Sequence, residues 1–536
     1  MPFFRHALSA MLLAAALQAQ PSQKQVEVDR IFSAFNTHTP GCAVGVANKG
    51  VIELRAGYGM ADLERNVAIT PGTVFESGSV AKQFTAAALM LLAQQGKISL
   101  DDPMRKHLPE LQDYGAPLTI RQMISHISGI REWRPIATFG GYPEGKYVYT
   151  NQDLLQMAAM QKSLNFDPGS NYSYSNTGYN ISTILIERAS GKSFQQFTRE
   201  MIFGPLAMTH TRWREDFRAI IPNRALAYGR LPKGGWTQQT PIENIIGAGG
   251  LLTTVGDLLL WNENFTHAKV GGAELVKAEQ TPATLNNGRK ISYAAGLSVG
   301  SFEGVREVSH SGATGGYRTW LGRYPDQGVS VVVLCNAANA NPTALGHATA
   351  RLWTGSVAAP APAPYTVSSL KAYEGLYRKL RDNTVETIAI QKGELHLGTA
   401  KLTPVGEGKF TIGSAENQLN FEPTGSRFSV LTSTDDVRYE RVEQANPTAA
   451  ELAAFAGKYA SGETGTTVTI SAGTKPGELN MKIAGESTVA LKPTFTDAFE
   501  TVSKTAIRFI RDADGKVTAM SAGESRVWDL RFTRSK

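Results

Sequence analysis

The sequence predicts a large α/β domain, in the broad sense that includes α+β, followed by two small antiparallel β-barrels. Three observations support this fold class. Strand-like and helix-like segments occur together in residues 26–356, an Ala- and Pro-rich stretch follows, and the rest of the chain repeats itself. With 536 residues, of which 42% are hydrophobic, the chain is long enough for several cores. We predict a linker at 357–366 and barrels at 367–445 and 449–536.

Two segments of the large domain are typical of strands and one is typical of a helix. Residues 41–55 and 329–336 contain strand-like apolar runs. Residues 84–95 are rich in Ala, Leu and Met, and the glycine that follows marks the end of a predicted helix. Cys42 and Cys335 lie in the two strand-like segments. Two cysteines are too few for a disulfide framework, so we favour two buried thiols; a single bridge requires the two strands to be neighbours.

The C-terminal part of the chain contains an internal repeat. Residues 355–367 alternate Ala and Pro, which favours an extended linker. Residues 508–520 resemble a hairpin closed by an Asp-Gly turn. The pattern therefore predicts two all-β units of about 80 residues, each a small lipocalin-like barrel. The shared positions are Leu370, Tyr373, Gly375 and Tyr377, which return 82 residues later as Leu452, Phe455, Gly457 and Tyr459.

Charge and composition do not indicate nucleic-acid binding. The 54 Lys and Arg residues exceed the 47 Asp and Glu residues by a net charge of +7. The basic residues form no run of five and no stripe interleaved with aromatic residues. The histidines lack the His-Glu-x-x-His spacing of a zinc site, and we predict no metal and no cofactor. No later stretch is apolar enough for an integral membrane segment in the mature form.

The N-terminus has the organisation of a secretory signal peptide. Arg5 supplies a positive charge, residues 8–17 form a short apolar core, and small or polar residues follow. The apolar core is too short to remain as a membrane span. We assign residues 1–19 to this signal and expect export to the periplasm or the medium.

Ser79 and Lys82 form the first candidate catalytic motif. Residues three apart on a helix share a face, and a helix N-terminus offers unpaired N–H groups near the hydroxyl. Burial of Lys82 would lower its pKa and allow it to accept the Ser79 proton. A second Ser-x-x-Lys, at Ser368 and Lys371, lies near the linker and lacks this context.

Tyr174 and Asn176 form the second candidate motif, in a loop that also contains Pro and Gly. A tyrosine between two cationic groups can ionise below its usual pKa of about 10 and act as a base. We therefore expect a lowered pKa for Tyr174. Tyr149 and Asn151 form a weaker match to the same pattern.

The third candidate motif is His310-Ser311-Gly312, on a strand that leads into a glycine-rich turn. A glycine such as Gly312 permits close approach of the backbone to a substrate. The N–H groups of Ala313 and Ser79 together are the predicted oxyanion hole.

In this order, the three motifs resemble those of the penicillin-recognising serine hydrolases. That superfamily includes class C β-lactamases, D,D-carboxypeptidases, related esterases and D-aminopeptidases. Residues 99–111, 117–130 and 247–261 are also similar to the family. The resemblance implies that residues 26–356 form a serine β-lactamase-like domain with an antiparallel sheet and a helical subdomain.

The resemblance also implies a role for each motif residue. Ser79 would attack an acyl carbon, while Lys82 and Tyr174 would share the proton transfers. Asn176 would orient the substrate amide, and His310 would line the far wall of the site. Water would then hydrolyse the acyl-enzyme. The principal base is left open between Lys82 and Tyr174, which titrate as a coupled pair.

One residue departs from the pattern of the β-lactamases. They usually carry at the third motif a lysine that pairs with the substrate carboxylate, whereas His310 is mostly neutral at pH 7. A histidine in place of this lysine favours the esterase and D-aminopeptidase branches of the superfamily. Two successive barrels also resemble the D-aminopeptidases, in which a loop of the last barrel helps to recognise the substrate amino group. An acidic loop around Glu463 or Asp497 is the candidate for that loop here.

We therefore predict an exported serine hydrolase that acts on small amides or peptides, with D-aminopeptidase-like specificity. A β-lactamase-family esterase and a weak β-lactamase are the alternatives within this class. A non-catalytic receptor for cell-wall fragments is the alternative outside it. The expected partner is a small molecule or short peptide, and a homo-oligomer is left open.

Overall fold

The computed structural model describes residues 22–143, 145–356, 365–483 and 485–535. The predicted signal peptide and most of the predicted linker lie outside these residues. Within the described ranges, no helix is both long and apolar enough to cross a membrane.

Almost all of the helices lie in the large domain, around its sheet. Within the described ranges, only α12 (Ala449–Phe455) lies outside it, directly before the second barrel. The others are α1 (Gln23–Ile31), α2 (Lys82–Gln94), α3 (Met104–His107), α4 (Ile120–Ile124), α5 (Trp133–Phe139), α6 (Asn151–Met160), α7 (Asn176–Ser190), α8 (Phe194–Thr198), α9 (Val255–His267), α10 (Gly272–Glu279) and α11 (Pro342–Thr354).

The large domain is built on a six-stranded antiparallel sheet with the strand order β10-β11-β12-β13-β1-β2. This confirms the antiparallel sheet implied by the family resemblance. The strands of the domain are β1 (Cys42–Asn48), β2 (Val51–Tyr58), β3 (Met60–Asp62), β4 (Val67–Ala68), β5 (Phe75–Glu76), β6 (Arg212–Trp213), β7 (Tyr228–Arg230), β8 (Trp236–Gln238), β9 (Leu251–Thr253), β10 (Ser298–Phe302), β11 (Val305–Thr314), β12 (Tyr317–Tyr324) and β13 (Val329–Cys335).

Both faces of the sheet are covered. Val44 and Val46 of β1 belong to the core beside α1 and α11, whereas Ala43 and Ala47 belong to the core that contains α2, α7 and α9. Successive side chains of a strand point to opposite faces, so a strand buried on both sides must be apolar throughout. This explains the unbroken apolar run that identified β1 in the sequence.

Two expectations about this part of the chain are corrected. The segment 41–55 is not one strand, because β1 and β2 pair as a hairpin around Lys49 and Gly50, which both have positive φ. The favoured interpretation of two buried thiols is also wrong. Strands β1 and β13 are neighbours, Cys42 lies directly opposite Cys335, and their sulfur atoms are bonded.

The C-terminal part forms two closed eight-stranded antiparallel barrels, as the repeat predicts. The first consists of β14 (Gly375–Lys379), β15 (Val385–Gln391), β16 (Glu394–Leu397), β17 (Ala400–Gly406), β18 (Lys409–Ile412), β19 (Ser414–Phe421), β20 (Arg427–Leu431) and β21 (Asp436–Val442). The second consists of β22 (Gly457–Ser461), β23 (Thr466–Ala472), β24 (Leu479–Ile483), β25 (Val489–Pro493), β26 (Ala498–Glu500), β27 (Ala506–Arg511), β28 (Val517–Glu524) and β29 (Val527–Arg534).

The repeated residues occupy equivalent places at the start of each barrel. The hydroxyl of Tyr377 donates to the carbonyl of Tyr373 at 3.0 Å, and that of Tyr459 donates to the carbonyl of Phe455 at 2.7 Å. All four side chains are buried in the core of their barrel. The repeat therefore marks the first strand of each barrel and the turn before it.

Helix α5 joins the second barrel to the large domain. Ile136 and Phe139 on this helix belong to the core of the second barrel, where the Phe139 ring lies 5.5 Å from that of Phe532. Trp133 and Ala137 on the same helix belong to the core of the large domain. One short helix therefore contributes to two cores, which fixes the position of the barrel.

Candidate active site

Ser79 and Lys82 meet at the start of α2. A 3₁₀ turn, Gly78–Ala81, holds Ser79 and runs directly into the helix, whose first residue is Lys82. The Nζ atom of Lys82 lies 3.1 Å from the Oγ atom of Ser79. The side chain of Lys82 is fully buried, and its Nζ also donates to Asn176 Oδ1 at 2.7 Å and to the carbonyl of Ala248 at 2.9 Å.

Burial lowers the pKa of Lys82 well below its ordinary value, which favours the neutral amine. A neutral amine has two N–H donors and one lone pair. Asn176 and Ala248 accept the two donors, which leaves the lone pair for the hydroxyl of Ser79. The geometry and the protonation state together suit Lys82 as the base for Ser79.

Tyr174 lies between two basic side chains, those of Lys82 and Arg526. The centroid of its ring is 4.8 Å from Lys82 Nζ and 4.9 Å from Arg526 Cζ. Burial has the largest effect on the phenol and raises its pKa, while a hydrogen bond with Ser79 and the charge of Arg526 lower this pKa by less. The expectation of a lowered pKa for Tyr174 is therefore wrong, because desolvation outweighs the two favourable effects.

Strand β11 passes very close to the turn that holds Ser79. A Cβ atom added to Gly312 would lie 2.1 Å from the carbonyl oxygen of Ser77 and 2.9 Å from the nitrogen of Ser79. A Cβ atom added to Gly78, where φ is +51°, would lie 2.6 Å from the nitrogen of Ala313. Both glycines are needed for this approach. It brings the backbone nitrogens of Ser79 and Ala313 together, which is the arrangement that the predicted oxyanion hole needs.

His310 is held by hydrogen bonds on both ring nitrogens. Its Nδ1 lies 2.6 Å from the carbonyl oxygen of Ser311, and its Nε2 lies 3.0 Å from the hydroxyl of Tyr293. The carbonyl can only accept, so the proton is on Nδ1 and Nε2 accepts from Tyr293. Burial lowers the pKa of His310 to about 4, so the ring is neutral at pH 7, in line with the sequence-based expectation.

Glu132 is a site residue that the sequence analysis missed. This buried side chain, next to the first residue of α5, binds the first residue of α7. Its two carboxylate oxygens accept from the backbone nitrogen of Asn176 at 2.6 Å and from Nδ2 of Asn176 at 3.0 Å. The two residues are 44 positions apart, and no local pattern in the sequence connects them. Glu132 and Lys82 thus hold the Asn176 amide from opposite ends.

A cavity of about 720 Å³ opens beside Ser79. Six of the seven predicted site residues line it, and the seventh, Lys82, lies buried behind Ser79. A volume of this order suits a small molecule or a short peptide. The lining includes the predicted Ser79, Tyr174, Asn176, His310, Gly312 and Ala313, together with Trp133, Arg134, Glu243, Arg318, Pro342 and Arg526.

The second barrel contributes to this cavity through a different loop from the one expected. The turn between β28 and β29 carries Arg526 into the cavity. Glu463 is instead buried in an ion pair with Arg131 at the interface, and Asp497 pairs with Arg511 on the barrel itself. Neither acid lines the cavity. The expectation of an acidic loop around Glu463 or Asp497 is therefore wrong, and a cation takes that place.

The weaker motif matches have structural roles. Ser368 donates from Oγ to Glu407 at 2.9 Å, beside the first barrel. Asn151 donates from Nδ2 to the carbonyls of Asn180 and Ile246, at 2.9 and 3.0 Å. Over the part of the chain that the structure describes, no group of three or more His, Cys, Asp or Glu side chains could hold a metal ion.

Two curated relatives share the name D-aminopeptidase. The enzyme of Brucella canis is 30% identical over 313 residues, which are 58% of this chain and 59% of that protein. The enzyme of Gluconobacter oxydans is 27% identical over 303 residues, which are 56% of each chain. The chain thus spans less than two thirds of the length of the curated relatives it matches.

Solved structures share the fold at low sequence identity. The octameric penicillin-binding protein homologue from Pyrococcus abyssi has a TM-score of 0.57 at 22% identity, covering 77% of this chain and 99% of that one. The D-amino acid amidase from Ochrobactrum anthropi SV3 has a TM-score of 0.51 at 19% identity, covering 61% of this chain and 96% of that one. At these identities the comparison shows a common fold.

A family model described as Beta-lactamase matches residues 28–355, which include all three motifs and the whole six-stranded sheet. The match covers more than half of the chain. The protein therefore belongs to the Beta-lactamase family.

Proposed function

We propose that the protein is a serine hydrolase that forms an acyl-enzyme on Ser79 and cleaves small amides or peptides whose acyl part is a D-amino acid residue. The main observation is the 3.1 Å contact between Ser79 Oγ and the buried Nζ of Lys82. The names of the Brucella and Gluconobacter relatives support the choice of a D-residue.

Acylation follows from the protonation states of the free site. Neutral Lys82 accepts the hydroxyl proton as Ser79 Oγ bonds to the acyl carbon. The N–H groups of Ser79 and Ala313 stabilise the oxyanion that forms. When the C–N bond breaks, the phenol of Tyr174 gives its proton to the departing amine and regains one from the Lys82 ammonium. The site then returns to its initial charge.

Deacylation uses the same groups with water as the nucleophile. Lys82 accepts a proton from water as the water oxygen bonds to the acyl carbon. The bond from the acyl carbon to Ser79 Oγ then breaks, and the proton returns to Ser79. The net reaction converts one amide and one water into an acid and an amine.

The role of Ser79 as the nucleophile is tested by measuring the turnover of D-alanine p-nitroanilide by two variants, Ser79→Ala and Ser368→Ala. We expect Ser79→Ala to lose at least about 10³-fold in kcat, because no other group replaces the attacking oxygen. Ser368→Ala is the matched control, since this serine of the second Ser-x-x-Lys lies beside the first barrel. Retained turnover in Ser79→Ala, or failure of the wild-type protein to react with a fluorophosphonate, contradicts the mechanism.

The substrate class is tested with the L-enantiomer and with the N-acetylated D-compound. Cleavage of the free D-compound alone supports a D-aminopeptidase. Cleavage of simple p-nitrophenyl esters with no cleavage of either anilide contradicts the amide part of the proposal and supports an esterase.

We also propose that the protein is exported. The N-terminal sequence and the bond between Cys42 and Cys335 support this, because disulfides persist mainly in oxidising compartments. N-terminal sequencing of the protein from each cell fraction tests the proposal. An intact N-terminus in a purely cytoplasmic protein contradicts it.

A further inference from the structure

The charged side chains that line the cavity are unbalanced. Among the residues that the structure describes, three arginines line it, whereas the one lining carboxylate is Glu243. This carboxylate is already engaged, because its Oε1 atom lies 3.2 Å from Nη2 of the buried Arg214. Arg134 also has carboxylate neighbours, with Glu132 at 3.3 Å. The guanidinium groups of Arg318 and Arg526 form no ion pair with a carboxylate in the part of the chain that the structure describes, so their positive charge is not compensated there.

The side chain of Arg526 lines the cavity, and the residues that the structure describes give its guanidinium no polar partner. Its Cζ atom lies over the ring of Tyr174, and within the described ranges its guanidinium makes no hydrogen bond or ion pair. Glu524, the last residue of β28, interacts electrostatically with Arg526, but within the described ranges it forms no ion pair with it. The backbone of the turn is fixed, since the Arg526 carbonyl accepts from Asn165 Nδ2 at 2.9 Å.

Arg318 extends into the same cavity from β12. Its Nη1 donates to the carbonyls of Gly315 and Tyr317, at 2.8 and 2.7 Å, and no carboxylate of the described residues forms an ion pair with it. Partial burial lowers the pKa of this guanidinium. The first turn of α11, including Pro342, also lines the cavity and adds the positive end of a helix dipole.

We propose that Arg526, together with Arg318, forms a carboxylate subsite for the leaving part of the substrate. This inference rests on the proposed function. Tyr174 is the group that protonates the departing amine, so a guanidinium against its ring lies on the leaving-group side. The neutral ring of His310 does not supply this charge. The favoured substrates are therefore peptides with a free terminal carboxylate close to the scissile bond, and the second barrel supplies part of the specificity.

The test compares D-alanylglycine with D-alanylglycinamide, which share an acyl part and differ in the terminal carboxylate. We expect the wild-type kcat/KM to be at least about tenfold higher for the carboxylate form, because hydrogen bonds to charged groups are the stronger ones. This preference should fall at high salt. Arg526→Gln should remove most of the preference, and Arg526→Lys should retain part of it.

The ratio of the two rates is the decisive quantity, because Arg526 also contacts Tyr174 and its loss affects both substrates. Arg508→Gln, an exposed arginine on the same barrel, is the matched control and should keep the wild-type ratio. Arg318→Gln gives a second variant that leaves the barrel intact. Two results would overturn the carboxylate subsite and leave the proposed function standing. One is an equal wild-type kcat/KM for the two peptides. The other is a full preference for the carboxylate form in the double variant that combines Arg526→Gln with Arg318→Gln. A wild-type protein that cleaves neither peptide overturns the proposed function as well.

Discussion

At the scale of single residues, burial sets the protonation state of the site. Desolvation disfavours every charged form, so it lowers the pKa of Lys82 and of His310 and raises that of Tyr174. These shifts favour the neutral form of all three side chains, and a pKa of about 4 leaves the His310 ring uncharged at pH 7. This pattern supports the proposed roles of Lys82 as the base of the free site and of Tyr174 as a proton donor.

This protonation pattern predicts the pH dependence of kcat/KM. Activity requires neutral Lys82, so the rate should rise with pH through the lowered pKa of Lys82 and level off well below 10.5, the ordinary value for lysine. The pKa of His310 is about 4, so no step is expected near the ordinary histidine value of 6.5. The pH profile is measured with an uncharged p-nitrophenyl ester over a wide pH range. The background rate of hydrolysis in the presence of the Ser79→Ala variant is subtracted at each pH. A rate that still climbs near pH 10.5 would contradict a buried, neutral lysine.

At the scale of elements, the site depends on contact between β11 and the turn before α2. The hydroxyl of Thr319 on β12 donates to the carbonyl of Ser77 at 2.6 Å, which ties the turn to the sheet. The absence of a side chain at Gly312 lets β11 lie against this turn. The sheet therefore positions both the proposed nucleophile, Ser79, and the proposed oxyanion donors.

Gly312→Ala should disrupt this contact. The new Cβ atom would lie 2.1 Å from a backbone oxygen, so the strand must move and carry the Ala313 N–H away from Ser79. We expect a loss of about 10²-fold or more in kcat, similar to the loss of an oxyanion donor. Gly300→Ala on β10 is the control, because nothing lies within 4 Å of its added Cβ, and it should behave as wild type. Wild-type kcat in Gly312→Ala would show that the backbone donors are not needed in this position.

At the scale of the whole molecule, the second barrel is part of the active site. It supplies Arg526 to the cavity, and it docks on the segment that holds Glu132 and hence Asn176. The docking contact is the buried ion pair of Arg131 and Glu463, together with Ile136 and Phe139 in the barrel core. Loosening the barrel should therefore affect catalysis as well as stability.

Glu463→Gln tests this coupling. The substitution leaves Arg131 as a buried charge without its carboxylate, which should cost about 3 kcal/mol of interface stability. The effect is measured by thermal unfolding and by hydrogen exchange at the Trp528 amide. This amide donates to Asn165 Oδ1 across the interface at 3.0 Å.

Asp497→Asn is the matched control for Glu463→Gln. Its partner Arg511 is partly exposed on the same barrel, so the change should cost about 1 kcal/mol or less and leave the Trp528 amide protected. Equal effects of the two substitutions would contradict a structural role for the buried pair.

Much of the site could be predicted from the sequence because its motifs are local. Ser79 and Lys82 are one turn apart, and His310, Gly312 and Ala313 lie on one strand. Glu132 and Arg526 could not be predicted, since each reaches the site from a segment far away in the chain. The lowered pKa expected for Tyr174 failed for a related reason. The sequence indicates nearby cations, but the extent of burial depends on the packing around the ring.

The sequence by itself determined the fold class, the two barrels and the order of the motifs, because strand and helix periodicity, turn residues and a repeat are all properties of short windows. The tertiary structure alone decided that Cys42 meets Cys335, that burial shifts the pKa of Lys82 and of Tyr174 toward the neutral form of each, and that an arginine of the last barrel enters the cavity. These features depend on which distant segments pack together and on how completely they exclude water, and no short window of sequence contains either quantity.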